Sequence, residues 1–213
     1  ILSSTFVFSQ VQIDLVLELA RRYCIPIHRI ASLFFPSALR TRLDKRNYIL
    51  ESPILHASWE PRTEIHFFSD SIVAPTGIHE YLLPDSIFIF PDDFFLLQFT
   101  KAIVHQDDIL IVPNDATDTK RAQAWIDIYE KKYPIIFWTR RLLYYNLQAY
   151  SRIIYVEDAY GSEFFQYPSK IRTIDILAFI SKYTPQTYII TSSPTLELLH
   201  RFRGSAFHNI RSS

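Results

Sequence analysis

The sequence predicts an α/β protein built on an open, mostly parallel, Rossmann-like sheet with helices on both faces. Three observations carry this. Short apolar runs alternate with longer amphipathic ones along the chain, the order expected of parallel strands joined by helical crossovers. Several of the short runs are continuously apolar over four or five residues, which suits strands buried on both faces. Hydrophobic residues make up 48% of the 213 residues, enough to fill a sizeable core and too many for a disordered chain.

Taken in order, residues 5–9 read as a first strand, and residues 12–23 as a helix with Ile13, Val16, Leu17 and Ala20 at helical spacing. Pro26 ends or breaks that helix. Further strands are expected over 48–50, 64–68, 86–90, 109–112, 135–138, 153–156 and 187–190. Helices are expected over 94–105, 117–132, 142–150, 173–183 and 195–202. The helix from Thr117 has the clearest signals. Asp115 and Thr117 offer capping oxygens, Asp118 lies near the positive end of the dipole, and Lys131 and Lys132 lie at the negative end. No repeat or linker interrupts the chain, so residues 1–213 are expected to form one domain.

Composition narrows the function classes. Lys plus Arg equals Asp plus Glu at 22 each, so no net field attracts nucleic acid, and no nucleic-acid partner is expected. Cys24 is the sole cysteine, which excludes an internal disulfide and any cysteine-based zinc site. No apolar run reaches the ~18 residues that a membrane span needs, and the first segment lacks a signal peptide's basic start. A cytoplasmic setting is therefore the expectation. The chain has three glycines, where average usage of about 7% would supply roughly fifteen. Dinucleotide-binding and P-loop motifs need clustered glycines so that backbone N–H groups can approach phosphate. Gly77, Gly161 and Gly204 stand alone.

The residues just past the strands point to chemistry. Phe67-Phe68-Ser69-Asp70, Phe90-Pro91-Asp92-Asp93, Val112-Pro113-Asn114-Asp115 and Val156-Glu157-Asp158 each end an apolar run with acid, and Ile190-Thr191-Ser192-Ser193 ends one with hydroxyls. In open α/β sheets ligands bind beyond the carboxyl ends of the strands. Carboxylates converging there would hold Mg²⁺ through oxygen ligands, or one would act as a general base. The competing reading is that Asp, Ser and Pro cap helices and form turns.

The run Ile153-Ile154-Tyr155-Val156-Glu157-Asp158-Ala159-Tyr160-Gly161 delivers two acids and then a glycine from a buried strand. It resembles the acidic motif that closes the first half of bacterial sialyltransferase-like glycosyltransferases. The opening Phe6-Val7-Phe8-Ser9-Gln10-Val11-Gln12 is similar to that family's first strand, its glutamine and the following helix. Ala159 stands where the family has glycine, and no histidine is followed by proline as in the family's nucleotide site. The resemblance implies the acceptor-side half of a glycosyltransferase. Asp158 would be the base, with Glu157 beside it, Gln10 would touch substrate, and a sugar nucleotide or glycan would be the ligand. Asp70, Asp92, Asp93, Asp115, Ser192 and Arg140 would line the same edge.

Two alternatives stand beside this. One is a non-catalytic interaction or assembly domain, self-associating or meeting a partner chain through the aromatic-rich region 129–167, which includes Trp138, Tyr144, Tyr145, Tyr150 and Tyr155. The other is a Mg²⁺-dependent phosphatase or nuclease using the same acids. The seven histidines show no H-E-x-x-H or paired spacing, so no metal ligands are assigned. His66, within a strand, is expected to fill a structural role.

Overall fold

The computed structural model describes residues 8–39, 60–68, 79–103, 108–157 and 171–210. They form a seven-stranded sheet in which every pairing is parallel. The strands are β1 (Arg62–Phe68), β2 (Ser86–Phe90), β3 (Ile109–Val112), β4 (Ile135–Thr139), β5 (Arg152–Val156), β6 (Gln186–Thr191) and β7 (Ala206–Ile210). Their spatial order is β3-β4-β2-β5-β6-β1-β7. The helices are α1 (Gln10–Tyr23), α2 (Ile27–Ala31), α3 (Asp93–Ala102), α4 (Asp118–Tyr129), α5 (Thr173–Ile180) and α6 (Leu196–Arg201).

The continuous apolar runs behave as their composition requires. Every residue of β2 is buried, as are the last four of β4 and of β5, because these strands occupy the middle of a sheet covered on both faces. One face carries Ile65, Ile87, Ile89, Ile136, Trp138, Ile153 and Ile189 against helices α1, α4, α5 and α6. The opposite face carries Phe88, Phe90, Phe137, Ile154, Val156 and Ile190 against α3, through Leu96 and Phe99.

Helix α1 begins earlier than its spacing suggests. The Ser9 Oγ accepts from the Gln12 N–H and the Gln12 Oε1 accepts from the Ser9 N–H, a reciprocal capping box. Residues 8 and 9 therefore lead into a helix and form no strand, while residues 5–7 and 48–50 lie outside the described residues. The buried stripe of α1 is Val11, Leu15, Val16 and Leu19, whereas Ile13 and Leu17 are 40% and 45% exposed. Apolar residues cover about two thirds of this helix's circumference, so spacing alone does not choose between two overlapping stripes. The helix expected over 142–150 is two short 3₁₀ turns, Arg140–Tyr144 and Leu147–Ala149. Their large side chains are core: Tyr144, Tyr145 and Tyr150, like Trp138 and Tyr155, are at most 7% exposed. That burial removes these five rings from any partner-binding surface.

Charge and hydrogen bonding tie the outer elements to the sheet. The Asp175 carboxylate on α5 accepts from the Tyr23 hydroxyl (2.6 Å) and pairs with Arg22 of α1 (3.3 Å) and Arg201 of α6 (2.6 Å). Burial, reinforced by the Asp175 bond, pushes the Tyr23 phenol up to about 12. At the amino ends of the strands, Asp85 adopts a left-handed backbone (φ 69°). Its Oδ2 accepts from the Ser151 N–H (3.1 Å), and its Oδ1 pairs with Lys131 (2.8 Å). Its backbone N–H donates to the Pro134 carbonyl (2.8 Å), and its own carbonyl accepts from the Arg152 N–H (3.2 Å). One residue thus joins the starts of β2, β4 and β5.

Partial burial by itself would raise the Asp85 carboxyl, but the bonds from Lys131 and Ser151 outweigh it and hold the group below its ordinary value. A depressed folded-state pKa gives stability that is fully present above the unfolded value of about 3.9 and is lost as pH falls through the folded value. The Asp85→Asn variant keeps a residue that tolerates the left-handed backbone but loses the ion pair. The side chain is 37% exposed and so partly screened, and the expected cost at pH 7 is below about 1 kcal/mol. Urea unfolding midpoints of the two proteins should converge between pH 5 and pH 2; a gap that stays constant over that range would show that the carboxylate's charge contributes nothing.

Candidate functional site

The sheet edge first named by the sequence does not assemble a site from the acids described there. Asp92 is the N-cap of α3, its Oδ1 accepting from the Phe95 N–H (3.0 Å). The Asp93 Oδ1 accepts from the Asn114 N–H (2.7 Å), and the Asn114 Oδ1 accepts from the Thr139 hydroxyl (2.5 Å). These bonds lash together the loops after β2, β3 and β4. Asp115 and Ser192 are exposed in turns, and the neighbouring helices are capped instead by Thr117 and Thr195. Gln10 is exposed and its Nε2 donates to Asp14 (2.9 Å). Glu157 is buried, with its backbone N–H donating to the Ile190 carbonyl (2.8 Å). Arg140 is buried at the end of β4, its Nε without a hydrogen-bond partner among the described residues. Asp70 and Asp158 lie outside the described residues.

The titratable groups gather elsewhere. Side chains alternate across a strand, so Glu64 and His66, two residues apart on β1, share one face, while Ile65 between them enters the helix-covered core. Pairing is in register with both neighbours: His66 lies beside His208 of β7, and Glu64 lies beside Tyr188 of β6. The short 3₁₀ turn His79–Tyr81 brings Tyr81 over the same face. These residues, with Glu80, Leu83, Arg152 and Ile154, line a cleft of about 480 Å³.

Within the cleft one carboxylate oxygen holds two imidazoles. The Glu64 Oε2 lies 3.0 Å from His66 Nε2 and 3.4 Å from His208 Nε2. The His66 and His208 rings are 4.9 Å apart between centroids, and Tyr188 meets His66 edge-on at 5.5 Å. On the far side of His66, Nδ1 is hydrogen-bonded to the Tyr81 hydroxyl. Burial first, then the neighbouring Glu80 carboxylate, pushes the Tyr81 phenol well above its ordinary value, so the hydroxyl keeps its proton. His66 is 9% exposed, whereas the side chain of His208 is 50% exposed and that of Glu64 31% exposed. The group runs from an enclosed anchor to an open rim.

The ligand atoms of Glu64, His66 and His208 lie within 4.8 Å of one another, and among the described residues no other three His, Cys, Asp or Glu side chains gather in this way. The spacing can be tested against a metal. Bonds of about 2.0–2.1 Å in a tetrahedral site place neighbouring ligand atoms roughly 3.3 Å apart. The two Glu64 distances of 3.0 and 3.4 Å bracket that value. Two imidazoles and one carboxylate suit zinc and its transition-metal neighbours, whereas Mg²⁺ prefers all-oxygen shells.

Sequence reasoning missed this cluster for identifiable reasons. His66 and His208 are far apart in the chain, and no strand was expected at Ala206–Ile210. The local signal was Glu64-Ile65-His66, an acid and an imidazole on one face of a strand.

No protein-family model matches the chain, and no curated protein sequence matches it. Solved structures of similar architecture are helicase domains. The Hef helicase domain of Pyrococcus furiosus gives a TM-score of 0.49 at 13% identity, covering 80% of this chain and 39% of that one. The C-terminal domain of the DEAD-box protein Dbp5 gives 0.48 at 9% identity, covering 70% and 89%. The DUF1998 helicase MrfA bound to DNA gives 0.39 at 9% identity, covering 84% and 30%. The likeness is one of architecture. These neighbours are not sialyltransferase-like enzymes, so that resemblance is withdrawn, and with it glycosyl transfer and the sugar ligands. MrfA was solved bound to DNA, and the expectation of no nucleic-acid partner is not carried further. No described helix is long and apolar enough to cross a membrane.

Replacing Tyr81 by Phe strands the buried Nδ1 of His66. The expected cost is about 1–2 kcal/mol of stability, measured by denaturant unfolding, and an unchanged midpoint would mean that the hydroxyl does not support the imidazole.

Proposed function

We propose that the protein binds one transition-metal ion, zinc foremost, through Glu64, His66 and His208. The observation that carries this reading is the convergence of two imidazole Nε2 atoms on a single Glu64 oxygen, at 3.0 and 3.4 Å. A bound zinc ion supplies Lewis acidity and lowers the pKa of a coordinated water. The chain's own residues do the rest. Glu64 contributes the negative charge and His208, on the exposed rim, closes the site. To ligate, His66 presents a bare Nε2, so its ring proton resides on Nδ1 and the Tyr81 oxygen accepts it. That outer bond fixes ring orientation as outer-shell partners of metal ligands do. Glu64, His66 and His208 would hold the ion with three protein ligands, the number found in sites that engage a further ligand.

The measurement is a thermal-shift and calorimetric titration with Zn²⁺ and Co²⁺. At a hundredfold excess over Kd the folded state gains about 2.7 kcal/mol, which raises Tm by about 5–10 °C for a chain of this size. His208→Ala, at an exposed position, should leave the metal-free Tm nearly unchanged. It should weaken metal binding at least about 100-fold, the upper range for losing even an outer-shell partner. Equal metal-induced shifts in wild type and His208→Ala would sink the assignment.

A further inference from the structure

Resting on the metal reading, we propose that the cleft binds a small organic anion, its oxyanion head shared between the metal's open position and the Arg152 guanidinium. Size gives the first argument. A cavity of about 480 Å³ is many times the ≈ 30 Å³ share of one water, so an ion and its solvent leave most of it unfilled. It falls within the range of small-molecule sites.

Among the described residues Arg152 is the one cationic side chain other than the histidines in the lining, and it is held in place. Its Nε donates to the Gln186 Oε1 (3.0 Å) and its Nη1 to the Pro84 carbonyl (2.9 Å). A guanidinium fixed in this way is ready to meet a carboxylate or phosphate without first losing side-chain freedom. The strand register sets its distance from the metal ligands. Arg152 is level with Gln186, which is level with Arg62, two residues before Glu64. Strand spacing and rise put the Arg152 and Glu64 backbones about 12 Å apart.

The ground between them is Tyr188. It is level with Glu64 in the strand register, and its ring meets that of His66 edge-on at 5.5 Å. Ile154 and Leu83 complete an apolar wall beside it, which suits an organic body better than a bare inorganic ion. Charge balance agrees. A divalent ion with one Glu64 carboxylate and the Arg152 cation leaves an excess of two positive charges, reduced to one by the exposed Glu80 at the rim.

The test uses the full chain loaded with Co²⁺, whose visible absorption reports on the ligands around the ion. Benzoate, phenyl phosphate and the uncharged benzamide are titrated in turn. The expected result is a saturable spectral change with one anion at least 10-fold tighter than with benzamide, the tighter one naming the head group as carboxylate or phosphate. In Arg152→Gln that anion should weaken at least 10-fold while Co²⁺ affinity changes less than 2-fold. A normal Co²⁺ spectrum that neither anion alters overturns the inference and leaves the metal reading standing. Equal binding of anions and benzamide by wild type overturns it equally, without recourse to a variant. Failure of wild type to take up Co²⁺ at all overturns both.

Discussion

The register of β1 is the constraint on which both the core and the site depend. This strand lies between β6 and β7 and pairs in parallel with each. Its side chains obey a period of two, so a slip of one residue would carry Glu64 and His66 into the helix-covered face and turn Ile65 out of it. Ile65 is fully buried among the residues of that face. Exposing it while burying a carboxylate and an imidazole would cost several kcal/mol on either count. Apolar packing on one side of the strand therefore holds the polar cluster in line on the other.

The two faces of the sheet are finished differently. Helices α1, α4, α5 and α6 cover one, and the Asp175 carboxylate clasps α5 to α1 and α6 through two guanidiniums and a phenol. Removing a largely buried acceptor of this kind leaves cations and a hydroxyl without their partner, which is costlier than the pair's net worth suggests. On the opposite face α3 packs over the β2–β4 side, and the cleft lies over β5, β6, β1 and β7. The polar cluster occupies the part of that face where the described helices give it no apolar partner.

The fold was legible because burial on both faces writes itself into composition. The runs at 86–90, 109–112 and 153–156 are strands at or within one residue of their expected bounds. Legibility failed where a residue type serves two purposes. Asp92 and Asp93 follow a buried strand as catalytic acids do, yet one oxygen of each accepts from a backbone N–H. Tyr144, Tyr145 and Tyr150 fall within the helix expected over 142–150 but lie in or just after 3₁₀ turns, where burial of the rings outweighs helix propensity. The strand β7 escaped notice because Ala206-Phe207-His208 carries little of the apolar signature that a central strand needs, and an edge strand needs less of it. With β7 unseen, His208 had no neighbour, and the cluster could not be read from histidine spacing.

The place of His208 on an edge strand has a mechanical consequence. An edge strand has one neighbour and is the first to peel from a sheet. A cation shared by His208 and two residues of β1 would act as a rivet through the last seam of the sheet. Occupancy of the cleft and closure of that seam then become a single equilibrium: whatever loosens the strand releases the ion, and whatever removes the ion frees the strand.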